Sequence, residues 1–257
     1  MILNLDNKKI LVTGSSRGIG LAIAESFLKE GAMTCLVSRG SDALFINEKK
    51  LQITYGVQNV IALKCDCTNV ESIHNLKYEI QKKWTDLDVV VINVGDGKSI
   101  SDALPDNEQW QKTWNNNFES ALQTARAFLP ILKKSNGVIL FVSSIAGIEA
   151  FGAPTDYSTA KSALIALAKN MARKLAPDVR VNVIAPGNVY FEGGSWDERI
   201  KQDKELVDEV IKSTVPMNRF ATPQEIADCA VFLCSNKASF ITGTTLVVDG
   251  GQTVGLF

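Results

Sequence analysis

The chain alternates short apolar runs with longer segments whose apolar residues recur at helical spacing. Lys9-Ile10-Leu11-Val12-Thr13 is the first run, β-branched and stopped by glycine. Leu21, Ile23, Ala24, Phe27 and Leu28 follow with a period near that of a helix, which predicts strand, glycine turn and helix. Met33 to Val37 predicts a second strand, Asp42 to Tyr55 a helix, Val60 to Cys65 a third strand and Val70 to Trp84 a polar amphipathic helix. Asp88-Val89-Val90-Val91-Ile92 is almost uniformly apolar, as expected of a central parallel strand covered on both faces. Asn107 to Leu132 reads as one long helix with Pro130 near its end. Gly137 to Val142, Val179 to Ala185 and Thr245 to Asp249 complete the strands. Between 188 and 217 the sheet pattern lapses. There Trp196, Ile200, Leu206, Val207, Val210 and Ile211 are scattered among charges at mixed helical spacing, which predicts a helical flap, a candidate substrate lid. Thr222-Pro223-Gln224-Glu225 has the form of a capping box with proline at the first helical position. With no linker or composition break, the alternation predicts one α/β domain over residues 1–257, a doubly wound sheet of about seven parallel strands flanked by helices.

Charge removes several function classes. Lys plus Arg number 27 against 28 Asp plus Glu, a net charge of −1, so no polybasic surface for nucleic acid or acidic lipid is expected. The five cysteines (Cys35, Cys65, Cys67, Cys229, Cys234) have no metal-ligand or redox spacing, and buried reduced thiols with no metal site are expected. His74 is the only histidine and falls on a polar helix, which leaves little for Ser/His or Cys/His catalysis. The first strand pattern starts within the opening residues with no signal-peptide pattern before it, and no apolar run has membrane-spanning length. A cytoplasmic location without membrane contact is the expectation.

Chemistry-bearing residues gather at the ends of the predicted strands. Gly14-Ser15-Ser16-Arg17-Gly18-Ile19-Gly20 joins the first strand to the first helix, the setting in which glycines let backbone N–H groups approach a pyrophosphate. The second strand ends at Ser38-Arg39, where an arginine accommodates a 2′-phosphate and an acidic residue would take the 2′-hydroxyl. Arg17 adds a second positive charge, so NADP(H) is expected over NAD(H), with NAD(H) the alternative. Tyr157 and Lys161, four apart on a predicted helix, share one face. An ammonium beside a phenol favours the phenolate and lowers its pKa, which makes the tyrosine a usable acid and base.

Together these residues resemble the short-chain dehydrogenase/reductase family, whose fold is a Rossmann-type sheet. The resemblance rests on Thr13-Gly14-x-x-x-Gly18-x-Gly20, Asp66, Asn93-x-Gly95, Asn117, Ser144, Tyr157-x-x-x-Lys161, Pro186-Gly187 and Val248-Asp249-Gly250-Gly251, and spans nearly the whole chain. It implies a catalytic set of Asn117, Ser144, Tyr157 and Lys161. Tyr157 would be general acid in reduction and base in the reverse direction. Lys161 would hold the nicotinamide ribose and depress the phenol, and Ser144 would hydrogen-bond the substrate carbonyl. Asn117 would hold a local helix distortion and a water that leads protons to Lys161. The implied cofactor contacts are Gly14, Ser16, Arg17, Gly18, Ile19, Gly20, Arg39, Asp66, Cys67, Asn93, Gly95, Tyr157, Lys161, Pro186, Gly187 and Val189. Asp66 would contact adenine, and Asn93 would brace the central strands. Val94 replaces the family's usual alanine, and Phe191 stands where a threonine often holds the cofactor, so Phe191 is left out of the cofactor set.

The sequence from Pro216 to Ala227 and Phe240-Ile241-Thr242-Gly243 resemble the 3-oxoacyl-carrier-protein-reductase-like branch. That likeness implies reversible reduction of a carbonyl to a secondary alcohol. Two positions where that branch tends to carry arginine at the entrance hold Ser135-Asn136 and Pro177-Asp178. A narrower resemblance, through Asn93-Val94-Gly95, 151–156 and 188–196, is to bacterial oxidoreductases of legionaminic-type sugar synthesis for flagellin or surface glycans. It implies a free or nucleotide-linked amino sugar as an alternative substrate. A non-catalytic dinucleotide-binding protein and a partner subunit of a two-protein enzyme are further readings, and retention of the catalytic set speaks against the first. The resemblance also implies a dimer or tetramer formed through the long helices and the C-terminal strand, with the apolar end Val254-Gly255-Leu256-Phe257 buried. Arg39→Asp is expected to move preference towards NADH, read as the ratio of kcat/KM for the two cofactors. An unchanged ratio would place the 2′-phosphate contact elsewhere.

Overall fold

The computed structural model describes residues 2–256. Seven strands form one parallel sheet in the order β3-β2-β1-β4-β5-β6-β7. They are β1 (Lys9–Thr13), β2 (Met33–Ser38), β3 (Val60–Lys64), β4 (Val89–Ile92), β5 (Val138–Val142), β6 (Arg180–Pro186) and β7 (Thr245–Val248). Each lies within about one residue of its predicted bounds. The order reverses between β1, which pairs with β2 on one side, and β4 on the other. A crevice opens at the carboxyl ends of the strands at such a reversal.

Alternation along the strands builds two cores, because successive strand side chains point to opposite faces. Ile10, Val12, Leu36, Val89, Val91, Leu140 and Ile184 pack on one face against Ile23, Ala24 and Phe27 of helix α1 (Gly18–Lys29) and Ile226, Ala230 and Val231 of helix α9 (Pro223–Cys234). Leu44 and Leu51 of α2 (Asp42–Tyr55) join them. Leu11, Val90, Ile92, Ile139, Phe141 and Val183 face the other way. They meet Ile73, Leu76 and Ile80 of α3 (Val70–Lys83) and Phe128 of α5 (Ser120–Ser135). Leu164, Ala168 and Ala172 of α6 (Thr155–Leu175) complete that face. All four β4 residues are buried, as a doubly covered strand requires.

The long helix expected from 107 to 132 is interrupted. α4 (Asn107–Trp114) runs into a wide π turn over Asn115–Glu119 before α5 begins. Pro130 does not stop α5, which continues to Ser135. Both Pro130 and Arg126, whose carbonyl loses its partner, are exposed, so water can satisfy the freed group. The flap holds α7 (Ser195–Gln202) and α8 (Lys204–Thr214). Trp196, Ile200 and Phe220 pack there on Val207, Ile211 and Val215, a small core of its own. Thr222 caps α9 with the reciprocal Glu225 contact and Pro223 in the first turn. Four cysteines are buried and Cys229 is half-buried, which corrects the expectation for that thiol. Val254 and Leu256 are exposed in the single chain, and Phe257 lies outside the described residues. Among the described residues no helix is long and apolar enough to cross a membrane, and no group of His, Cys, Asp or Glu could hold a metal.

The glycine turn is packed too closely for side chains. A Cβ on Gly20 would lie 2.3 Å from the Gly14 carbonyl oxygen and 2.6 Å from Asn93 Nδ2. Gly20→Ala is therefore expected to cost on the order of 2 kcal/mol or more in a urea unfolding curve, because only backbone and a bonded side chain are there to yield. A variant within about 0.5 kcal/mol of the parent would show the turn to be loose.

Candidate active site

Tyr157 and Lys161 lie in the first two turns of α6, which starts at the carboxyl edge of the sheet. Asp156, buried at its N-terminus, accepts from Tyr157 N at 2.8 Å and from Ser99 Oγ at 2.5 Å, tying the β4 loop to the helix. Enclosure works against ionisation of Asp156. The hydrogen bonds from Ser99, Thr113, Tyr157 N and Gln109 prevail, and its pKa lies below the ordinary value.

Lys161 is 4% exposed. Its Nζ donates to Val142 O at 3.3 Å and lies 5.7 Å from the centre of the Tyr157 ring. Burial brings its pKa down to about 8, against the opposing pull of Asp96. Enclosure of the Tyr157 phenol pushes it up, a hydrogen bond with Ser144 pulls it down, and the Asp96 charge pushes it up again. The net direction is upward. Lys161 Nζ is turned towards Val142 O, and the influences on the phenol are its own enclosure, Ser144 and Asp96.

Ser144, just beyond β5, accepts from Ala146 N at 3.1 Å, while neighbouring Ser143 donates to Lys161 O at 2.9 Å. Asn117 is fully buried in the π turn. Its Nδ2 donates to Thr113 O and Asp96 O, both at 3.0 Å, and its Oδ1 accepts from Asp96 N at 3.1 Å. The amide thus clamps both backbone groups of Asp96. Gly95, at φ 152°, makes room for this: a Cβ there would lie 2.6 Å from Asn117 Oδ1 and 2.9 Å from Lys161 Nζ.

A cavity of about 610 Å³ runs along the edge of the sheet from β2 to the flap. Of the sequence-predicted residues it brings together Gly14, Ser16, Arg17, Ile19, Arg39, Asp66, Cys67, Asn93, Gly95, Tyr157 and Lys161. Asn93 donates from its backbone to Thr13 Oγ1 and from its side chain to Gly14 O, both at 3.0 Å, bracing β4 against the glycine loop. Burial works against an ionised Asp66, but Thr68 bonds to it through N–H and hydroxyl, and with the Arg39 charge these hold its pKa down.

Gly18, Gly20, Asn117, Ser144, Pro186, Gly187 and Val189 are outside the cavity wall. Gly187 packs on Asp249, where a Cβ would fall at 2.7 Å from the aspartate Cβ. Val189 is 7% exposed and bridges to Ala221. Phe191, left out of the expected cofactor set, does line the cavity, its ring 2.7 Å from where a Gly18 Cβ would be. Its reach back to the glycine loop depends on a fold of the flap that has no local signal. Asp96, Gly97, Lys98 and Asn116 line the tyrosine end, and Gly194 and Ser195 the flap side. Their only mark in the sequence is their place beside Gly95, Asn117 and the flap. Arg17 donates to Gly193 O at 2.8 Å and Lys98 pairs with Glu198 at 3.3 Å, so both sides of the cleft are tied to the flap.

A family model described as enoyl-(acyl carrier protein) reductase matches residues 14–253. A short-chain dehydrogenase/reductase (SDRA) of Arabidopsis thaliana is 35% identical, over 96% of this chain and 95% of its own. The 3-oxoacyl-[acyl-carrier-protein] reductase FabG of Aquifex aeolicus is 32% identical, over 98% of this chain and 100% of its own. The structure of L-sorbose reductase from Gluconobacter frateurii, solved with NADPH and L-sorbose, superposes with a TM-score of 0.93 at 32% identity and covers 100% of both chains. The chain belongs to the short-chain dehydrogenase/reductase family. It is an NAD(P)-dependent oxidoreductase of that family, acting between alcohols and carbonyls.

The buried ammonium has a testable cost. A lysine whose pKa falls from 10.5 to about 8 on folding binds fewer protons than the unfolded chain between those values. Its penalty is therefore full below about pH 8 and is relieved as pH rises to 10.5. Lys161→Met is expected to be more stable than the parent at pH 7 by on the order of 1–3 kcal/mol in urea unfolding. The gap should narrow steadily above pH 8. Equal stabilities at all pH values would show that the ammonium is not held away from water.

Proposed function

We propose that the protein reduces a small carbonyl compound to a secondary alcohol with NADP(H), reversibly, through Tyr157, Lys161, Ser144 and Asn117. The observation that carries this is the convergence of Tyr157, Lys161 and the glycine loop on one cavity. The cradle suits a dinucleotide: Gly14 takes a left-handed φ of 64° and Gly20 leaves no room for a Cβ, the tight turn that lets backbone approach a pyrophosphate. Gly14, Ser16, Ile19, Asn93 and Gly95 would hold the cofactor, and Asp66 with Cys67 would line its adenine end. Arg39, exposed at the end of β2, would meet the 2′-phosphate. NAD(H) is the alternative cofactor. Bound there, the reduced nicotinamide supplies the hydride.

The chain's own groups handle the proton and the orientation. Tyr157 gives its proton to the carbonyl oxygen in reduction and takes it back in oxidation. Ser144, which acts on the phenol's pKa, orients that oxygen. Lys161, with a pKa of about 8, can return a proton to the phenol. Asn117 fixes the loop that packs on both. The lid at 188–217 closes over the substrate, held to the body by Arg17 and Lys98.

A 3-oxoacyl thioester is the substrate suggested by the resemblance to acyl-carrier-protein reductases. The polar tyrosine end, with Asp96, Lys98 and Asn116, and Ser195 on the flap side favour a second reading: a sugar or amino sugar, in keeping with the likeness to L-sorbose reductase. A cytoplasmic dimer or tetramer is the proposed working form, its contacts covering exposed Phe240, Val254 and Leu256. Tyr157→Phe is expected to lower kcat by at least about 1000-fold and leave the Kd for NADPH within about threefold. Near-parental turnover would remove the phenol from the chemistry.

A further inference from the structure

The loop after β4 carries a carboxylate between two glycines. Gly95 sits against Lys161 Nζ and Asn117 Oδ1, where a Cβ would fall at 2.9 and 2.6 Å. Gly97 sits against the Tyr157 ring, where a Cβ would fall at 3.9 Å from Cζ. Asp96 lies between them, so its backbone is fixed beside both groups of the proton-transferring pair. Asn117 clamps its N–H and its carbonyl, leaving only the side chain to turn towards the cavity it lines.

The protein itself gives that side chain only two hydrogen bonds. Oδ1 accepts from Lys98 N at 3.3 Å and Oδ2 from Asn116 Nδ2 at 3.4 Å, both long for a carboxylate. Asp96 is half-buried and makes no ion pair among the described residues. The nearby ammonium of Lys98 goes to Glu198 instead. An ionised carboxylate accepts about four hydrogen bonds, and withdrawing it from water behind a substrate is costly unless donors arrive with that substrate. A 3-oxoacyl thioester offers methylenes next to its reacting carbon and a thioester carbonyl one carbon further, with no donor there. A hydroxy- or amino-ketone offers an O–H or N–H there.

We propose that Asp96 is a specificity-determining residue that accepts a hydrogen bond from a hydroxyl or amino group on the carbon next to the reacting carbonyl. Hydroxy- and amino-ketones of the sugar type are then preferred over acyl thioesters. This rests on the carbonyl-reducing reading above and adds to it the chemical class of the substrate.

The test uses matched pairs, 1-hydroxy-2-butanone against 2-butanone, with NADPH oxidation followed for the parent, Asp96→Ala and Asp96→Asn. Asp96 also acts on the charges of Tyr157 and Lys161, so rates with either ketone alone are expected to change. The ratio of kcat/KM within the pair cancels that shared effect. It is expected to favour the hydroxyketone by about 10-fold or more in the parent. In Asp96→Ala it falls towards one, chiefly through KM, and Asp96→Asn, which keeps one acceptor oxygen, lies between. A parental ratio near one, or one unchanged in Asp96→Ala, overturns the proposal. The thermal shift of NADP-loaded protein with 1,2-butanediol against 2-butanol reads the same contact without turnover. A larger shift with the diol that disappears in Asp96→Ala supports the proposal, and equal shifts in the parent overturn it. If no carbonyl is reduced at all, the carbonyl-reducing reading fails, and the diol measurement still decides what Asp96 binds.

Discussion

Burial of the Lys161 ammonium sets the terms for everything around it. A charge at 4% exposure is costly, and here a single carbonyl, Val142 O, meets it directly. The body of the protein is built to tolerate this. Leu164, Ala168 and Ala172, further along the same helix, pack into the core beneath the sheet and hold the ammonium at its edge. Gly95 has no side chain, so the β4 loop can close over it. Asn117, fixed in a π turn, clamps that loop. The return for this arrangement is a lysine whose pKa lies near 8, where it can pass protons at working pH.

The phenol shows the same physics from the other side. Its enclosure raises the pKa more than Ser144 lowers it. The simple electrostatic picture of a lysine pulling a tyrosine down leaves out the desolvation that both suffer in one pocket. Position four residues apart brings the two groups to one helix face, but the direction in which Nζ points is decided by Val142 O across the sheet.

Much of the fold was legible in the chain. Strands such as 89–92 are apolar at every position because both faces are covered. The glycine loop, the capping box at Thr222 and the ends of the strands carry local chemistry that needs no distant partner. What escaped depends on contacts far apart in sequence. The π turn at Asn115–Glu119 has no periodic mark, since the residues on both sides keep helical spacing, and only the family resemblance implied a distortion at Asn117. Phe191 reaches the glycine loop only because the flap folds back over it, with Arg17 bonded to Gly193. Asp96 reads as an ordinary loop aspartate until Gly95 and Gly97 are seen against Lys161 and Tyr157. Pro186 extends β6 by one residue beyond its expected end, Val189 bridges to Ala221, and with Gly187 they lie outside the cavity wall.

The central claim is that this cavity carries out hydride transfer to a carbonyl with Tyr157 as the proton donor. The most direct measurement is a single turnover with NADPH deuterated at its transferable C4 position and a ketone substrate, the product being read by mass spectrometry and NMR. The account predicts one deuterium at the carbinol carbon, formed in step with cofactor oxidation and absent with Tyr157→Phe. Oxidised cofactor with no deuterium in the alcohol, or full labelling with the Tyr157→Phe variant, would contradict it.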